Sequence, residues 1–244
     1  MNVLQSCSRG INLLCENLSS PMGIETSTPR LSWSFTGDHR GVRQSAYQIT
    51  VATSPDNLAN GVADLWDSGR VQSDQSVLVP YSGRKLCSRL RCFWKVRVWD
   101  EANHTELSEP SFWEMGLLRP KDWKAQWITA DIPEDYRDRK TPAPLFRKAF
   151  RVGKPVAYAR AYICGLGFYE FYLNGCKVGD AVLHPAFTKY DSRSLYTVHD
   201  ITGYLKQGDN AAGVMVGTGW YNHRTQDDWN LYAALWRDEC KALV

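Results

Sequence analysis

The sequence predicts an all-β protein built from two tandem β-sandwiches. Three observations carry that prediction. Ten Trp, 12 Tyr and 8 Phe stand among 244 residues, and ring side chains suit a pleated, half-buried surface. Apolar residues recur with period two in short runs separated by Gly and Pro, whereas no helical period of useful length occurs. A proline-containing, charged stretch in mid-chain divides the pattern into two halves.

Residues 1–10 read as a loose tail, and a first strand is expected near Leu13. Leu31, Trp33 and Phe35 alternate with Ser32 and Ser34; Tyr47, Ile49 and Val51 with Gln48, Thr50 and Ala52. Val77 and Val79 alternate with Ser76 and Leu78; Trp94, Val96 and Val98 with Lys95, Arg97 and Trp99. Phe112 marks the last run. Each pattern offers one face to a core and one mostly to water. About seven strands thus fall within residues 11–118, the number expected of an immunoglobulin-like or fibronectin III-like sandwich. No Cys pair brackets Trp33 or Trp94 as an antibody-type disulfide would. Aromatic burial is therefore expected to hold the core, at roughly 2–3 kcal/mol for each fully buried Trp or Phe.

Residues 119–143 read as a linker. They hold Pro120, Pro133 and Pro142 and a charged run, 134–140, expected to be a solvated loop. The run 123–128 interrupts the polarity and is expected to pack on one domain. From residue 144 the β pattern resumes. Strands are expected at 145–151, 157–164, 169–173, 176–182, 195–199 and 210–217. Asn174-Gly175 fits a type I′ hairpin turn. Residues 200–205 fit a short helical turn capped by Asp200, and 206–210 a loop. The second domain, 144–244, is read as a jelly-roll or carbohydrate-binding-module-like sandwich. Lys241-Ala242-Leu243-Val244 opens a further strand. Its expected consequence is an unpaired edge, as in a C-terminally incomplete piece of a longer protein.

Several functions are disfavoured. A balance of 29 basic against 26 acidic side chains leaves +3, too little to argue for nucleic acid. No run of apolar residues is long enough for a membrane helix. Seven cysteines (7, 15, 87, 92, 164, 176 and 240) include no C-x-x-C, so no zinc site is indicated and reduced thiols are expected. Residues 1–10 lack an apolar leader core, so a cytoplasmic protein is expected, or a secreted or periplasmic one if a leader was removed. His39, His104, His184, His199 and His223 show no i, i+4 pairing. Gly165-Leu166-Gly167 and Gly217-Thr218-Gly219 lack the rest of a phosphate-binding fingerprint. They read as bends or close backbone approaches. No G-x-S-x-G occurs. Adjacency in Glu134-Asp135 and Asp227-Asp228 does not make a glycosidase pair, which must flank a bond. The segment Gly219-Trp220-Tyr221-Asn222-His223 suits a sugar platform, because rings stack on the apolar faces of sugars and amides bond their hydroxyls. Equally, Trp220 suits a core with a loop around it. Tyr190-Asp191 carries the same two readings.

Ordered segments then resemble a family. The first domain carries Pro21-Met22-Gly23-Ile24, Pro29-Arg30-Leu31-Ser32-Trp33, Gln44-Ser45-Ala46-Tyr47-Gln48-Ile49, Trp66-Asp67-Ser68-Gly69 and Phe93-Trp94-Lys95-Val96-Arg97-Val98-Trp99-Asp100. Trp123-Lys124-Ala125-Gln126-Trp127-Ile128 follows. The second carries Phe146-Arg147-Lys148-Ala149-Phe150, Leu173-Asn174-Gly175, Thr188-Lys189-Tyr190-Asp191 and Gly217-Thr218-Gly219-Trp220-Tyr221. Together they resemble the N-terminal part of bacterial α-L-rhamnosidases, glycoside hydrolase family 78. The resemblance implies a fibronectin III-like domain followed by a β-sandwich. It also implies an inverting glycosidase whose carboxylates lie on a later (α/α)6 barrel, so that no catalytic residue carries over to this chain. No cofactor is required. Some relatives bind rhamnose through calcium with an Asp-Asn pair and a later Asn. Here the pair is Leu173-Asn174, with Asn222 as the later residue, and loss of a carboxylate weakens a calcium site. Cys92 stands where a corner Tyr is usual, so that hydroxyl is expected to be missing. The expected sugar contacts are Asn174, Tyr190, Asp191, Trp220 and Asn222. The expected partners are rhamnose-containing glycosides and the catalytic barrel. An apolar face on the second domain would pack on that barrel or be covered by homodimerisation.

Overall fold

Among the described residues, ten strands form the first of two units into which the chain divides, 1–123 and 124–244. The structure is a computed structural model, and it describes residues 11–36, 41–130, 143–223, 226, 228–230, 236 and 241–243. The strands are β1 (Asn12–Cys15), β2 (Met22–Ile24), β3 (Arg30–Ser34), β4 (Gln44–Ala52), β5 (Trp66–Asp67), β6 (Val71–Gln72), β7 (Val79–Pro80), β8 (Arg91–Asp100), β9 (Thr105–Leu107) and β10 (Ser111–Met115). One sheet has the order β1-β3-β7 and the other β2-β10-β8-β4-β5, with β6 on β4 and β9 on β8. Only the β2–β10 pairing is parallel among the described ladders.

Period two decides the layers. On β8, Cys92, Trp94, Val96 and Val98 are buried while the residues between them turn outward. They meet Leu31, Trp33, Ile49, Val51 and Trp113 in one core. The rings pack edge to face, Trp94 on Trp113 at 6.2 Å and Tyr81 on Trp113 at 5.9 Å, an arrangement that favours the ring quadrupoles. Gln44 is buried among them. Its Oε1 accepts from Trp33 Nε1 at 2.8 Å, and its Nε2 donates to the carbonyls of Ser73 and Gln75.

The sequence reading needs three corrections here. A helix, α1 (Pro55–Ala59), follows β4; Ser54 caps it by accepting from Asn57 N at 3.1 Å. Five residues are too few to show a helical period. The strand expected at 77–79 is only β7, and Val77 is exposed. Tyr81, just after β7, hydrogen-bonds through Oη to Arg84 O at 2.8 Å, with Leu65 O at 3.3 Å. The expected linker also shrinks at its first end. Pro120–Asp122 is a 3₁₀ turn in which the Asp122 carboxylate accepts from Ser88 and Arg119. Those bonds hold its pKa down at about 2.

The second unit contains β11 (Trp127–Thr129), β12 (Leu145–Val152), β13 (Arg160–Leu166), β14 (Phe168–Leu173), β15 (Cys176–Lys177), β16 (Thr197–Asp200), β17 (Gly208–Gly217) and β18 (Lys241–Leu243). Two four-stranded sheets, β11-β18-β13-β16 and β12-β17-β14-β15, enclose Ile163, Tyr169, Phe171, Leu173, Val214 and Val216. Asn174 and Gly175 both have positive φ, 51° and 86°, as a type I′ turn demands. Asp200 Oδ1 accepts from Thr202 N at 3.0 Å, ahead of a 3₁₀ turn at Thr202–Tyr204.

Three expectations change in this unit. The strand expected to leave an unpaired edge, β18, lies between β11 and β13 and pairs antiparallel with both. Residues 127–129, read as linker, are its neighbour. The strand expected at 176–182 ends at Lys177, and Val182 and Leu183 are exposed. The tail 1–10, His39, Cys7, Cys240, the run 134–140 and Asp227 lie outside the described residues. No helix among the described residues is long and apolar enough to cross a membrane.

Candidate functional site

The candidate site is built at one end of the second sandwich, where the two Gly-x-Gly segments meet. A Cβ on Gly167 would lie 2.1 Å from Gly217 O, and one on Gly219 2.8 Å from Phe168 N. Both glycines also have positive φ, +130° and +53°. A side chain at either position is therefore excluded twice, by space and by backbone conformation. The close approach turns the chain after β17 toward the loop that follows β15. His184 joins that loop to the sheet, its carbonyl accepting from Tyr169 N at 2.9 Å.

Two aromatic groups result. Tyr190 meets Tyr221 edge to face at 5.3 Å and Phe187 at 5.6 Å, with Trp236 at 6.0 Å. Trp220 lies 6.1 Å from His223 and 5.9 Å from Trp229. Tyr221 and Asn222 are buried, and Asn222 N donates to Thr218 O at 3.1 Å. Trp220 is half-buried, and Trp229 is 73 % exposed. Burial raises the Tyr190 hydroxyl pKa, so it stays a neutral donor. Asp191 is on the rim, its carboxylate accepting from Ser192 Oγ at 3.3 Å and facing Lys189 Nζ at 3.8 Å.

Four of the five residues expected from the sequence thus come from two loops that touch. The fifth, Asn174, does not join them. Phe168 pairs with Gly217 at one end of the β14–β17 ladder and Leu173 with Ala212 at the other. Five residues of strand separate the ends by roughly 17 Å. Asn174 spends its amide locally: Oδ1 accepts from Ala211 N at 3.0 Å, and Nδ2 donates to Tyr204 O and Asn210 Oδ1, each at 2.9 Å. Asn174 and Asn222 therefore do not converge on one calcium ion, whose oxygen ligands stand at about 2.3–2.6 Å. No group of three or more His, Cys, Asp or Glu side chains is placed to hold a metal among the described residues.

Sequence reasoning missed Phe187 and Trp229. Being apolar rings in loops without periodicity, they gave no signal beyond their nearness to Tyr190 and Trp220. It also missed a buried polar contact beneath the site, Tyr169 Oη to His199 Nε2 at 2.8 Å. Burial pushes the Tyr169 hydroxyl up to about 12 and the His199 imidazole down. A neutral hydroxyl thus meets an imidazole biased toward its neutral form. A separate open trough of about 350 Å³ lies on the outer face of β12, β17 and β14, lined by Leu145, Arg147, Tyr172, Gly213 and Met215. Beside it, Glu170 accepts from Tyr172 Oη at 2.6 Å and Lys177 Nζ at 2.5 Å.

Comparison with known proteins follows the two halves. Residues 11–119 match the family described as "Rha78A-like, N-terminal immunoglobulin domain". Residues 154–244 match "Alpha-L-rhamnosidase N-terminal domain". An α-L-rhamnosidase from Formosa agariphila is 42 % identical over 224 residues, covering 83 % of this chain and 23 % of that protein. Two solved α-L-rhamnosidases superpose at a TM-score of 0.82. That from Dictyoglumus thermophilum is 34 % identical over 95 % of this chain and 26 % of its own. That from Aspergillus terreus is 33 % identical over 96 % and 26 %. The chain therefore spans about a quarter of the length of the relatives it matches.

Proposed function

Since this chain belongs to the α-L-rhamnosidase family, as its N-terminal pair of β-domains, we propose that it is the accessory, non-catalytic part of a glycosidase. That enzyme removes terminal α-L-rhamnose from glycosides with inversion. The observation that carries the reading is the two domain families in consecutive order on a chain that spans only 23 % of its relative. Electrostatics support it. An inverting glycosidase needs a general acid of raised pKa facing a second carboxylate across a bound sugar. Glu170, Asp191 and Asp200 each face a cation instead, Lys177, Lys189 and Arg160 respectively. Hydrogen bonds from Lys177 and Tyr172 hold the Glu170 pKa below its usual value, the wrong direction for an acid.

The purified chain is expected to release no p-nitrophenol from p-nitrophenyl α-L-rhamnoside. Turnover that co-purifies with the chain and survives its recloning would overturn the reading. A second role is supported by the exposed Trp229 beside Trp220: weak sugar stacking on the site described above. Calorimetric titration with L-rhamnose tests it. Saturable heat that is unaffected by a chelator and lost in Trp220→Ala supports stacking, and absence of heat leaves the accessory role alone.

A further inference from the structure

The outward face of β8 carries a ladder unrelated to the site above. Its side chains are Arg91, Phe93, Lys95, Arg97 and Trp99. Alternate positions place them on one side of the sheet, about 7 Å apart. Arg91 Cζ stands 4.9 Å from the Phe93 ring and 4.2 Å from that of Phe112, which opposes Phe93 on β10. The Trp99 ring takes Arg70 Cζ at 4.7 Å and Arg97 Cζ at 5.9 Å. Four cations thus share one face. Across the ladder on β4 stand only uncharged residues: Ala46, Gln48, Thr50 and Ala52. The acids in register are Glu106 on β9, opposite Val98 and so of the other parity; Glu114 on β10, opposite Arg91 and buried; and Asp67 one strand further, which accepts from Gln48 Nε2 and Gly69 N. Lys95 Nζ donates to Leu58 O, and Arg70 Nη2 to Asn103 Oδ1. Among the described residues, Arg91, Lys95 and Arg97 make no ion pair.

We propose that this face of the first sandwich binds an acidic polysaccharide, its guanidinium edges pairing with carboxylate or sulfate groups. Arg guanidinium groups pair two-pronged with carboxylate and similar oxyanions; Arg97 is exposed for this, whereas Arg91 Nε is buried. Like charges at this spacing repel one another in the free protein, and a polyanion relieves the repulsion. Guanidinium carbons stand 4.2–5.9 Å from the ring centroids of Phe93, Phe112 and Trp99. Bases of a single-stranded nucleic acid would have to compete with these guanidinium groups for the ring faces. The choice of a glycan among polyanions rests on the α-L-rhamnosidase reading, and the aryl-rhamnoside assay tests that reading separately.

The experiment is affinity electrophoresis of the whole chain through gels containing polygalacturonate, dextran sulfate or neutral dextran. Retardation by one or both acidic polymers and not by dextran is expected, and which gel retards it identifies the anionic group. Binding should weaken about tenfold between 50 and 200 mM salt. Arg97→Gln changes an exposed side chain and should weaken binding about fivefold with an unchanged unfolding temperature. The double variant Lys95→Gln, Arg97→Gln should abolish it. Equal mobility in all three gels overturns the proposal. So does unchanged retardation of the double variant, or tighter binding of oligothymidylate than of either polysaccharide.

Discussion

Gln44 is the residue whose role is largest relative to its sequence signal. Its one amide satisfies the Trp33 indole and two backbone carbonyls inside an otherwise apolar layer. Gln44→Leu keeps the volume but strands those partners, so the first unit is expected to lose about 2–3 kcal/mol, read from urea unfolding. His199 acts oppositely with pH. Burial, and secondarily the neighbouring His184, hold its pKa below the usual histidine value. The unfolded chain therefore takes up the proton more readily than the folded one. The stability contribution is complete above the ordinary histidine pKa of about 6.5 and is lost as pH falls below it toward the folded value. The second unit should melt at progressively lower temperature from pH 7 to pH 5. His199→Gln keeps a hydrogen-bond partner for Tyr169 and should flatten that decline, and equal declines would reject the assignment.

At the scale of elements, turns and strand ends separate two uses of glycine. Gly175 has φ +86° but open space around its α-carbon, whereas Gly219 has φ +53° and Phe168 N in the way. Gly175→Ala should cost about 1 kcal/mol, from conformation alone. Gly219→Ala should cost about 2 kcal/mol or more and shift the fluorescence of Trp220, because the loop holding that ring must move. The strands themselves were largely legible. β3, β4, β8, β14 and β17 arise from alternating or continuous apolar runs, and their buried faces follow; in β12 none of the residues is fully buried. Short elements were not. β5, β6 and α1 contain two to five residues, too few for a period, and are fixed by tertiary neighbours.

Across the whole molecule, thiol burial offers a readout of each unit. Cys15 and Cys92 lie inside the first and Cys164 inside the second, while Cys87 and Cys176 are exposed. Burial pushes Cys15 up to about 12 and Cys164 to about 11, which removes the reactive thiolate at neutral pH. Iodoacetamide followed by peptide mass mapping should label Cys87 and Cys176 first. Labelling of Cys15, Cys92 and Cys164 should await urea. Early labelling of Cys164 alone would mean that the second sandwich opens locally.

The sequence alone determined the all-β character, the order of two sandwiches, the aromatic core and the family, because each is written in local periodicity or in ordered motifs. It also brought Tyr190, Asp191, Trp220 and Asn222 forward by residue chemistry. Only the tertiary structure decided that β18 lies between two partners, that Asn174 is a turn brace remote from Asn222, and that guanidinium groups gather near the rings on the outer face of β8. Alternation fixes which face of a strand a side chain takes. It does not fix which strand lies alongside, and that choice is made by contacts between residues far apart in the chain.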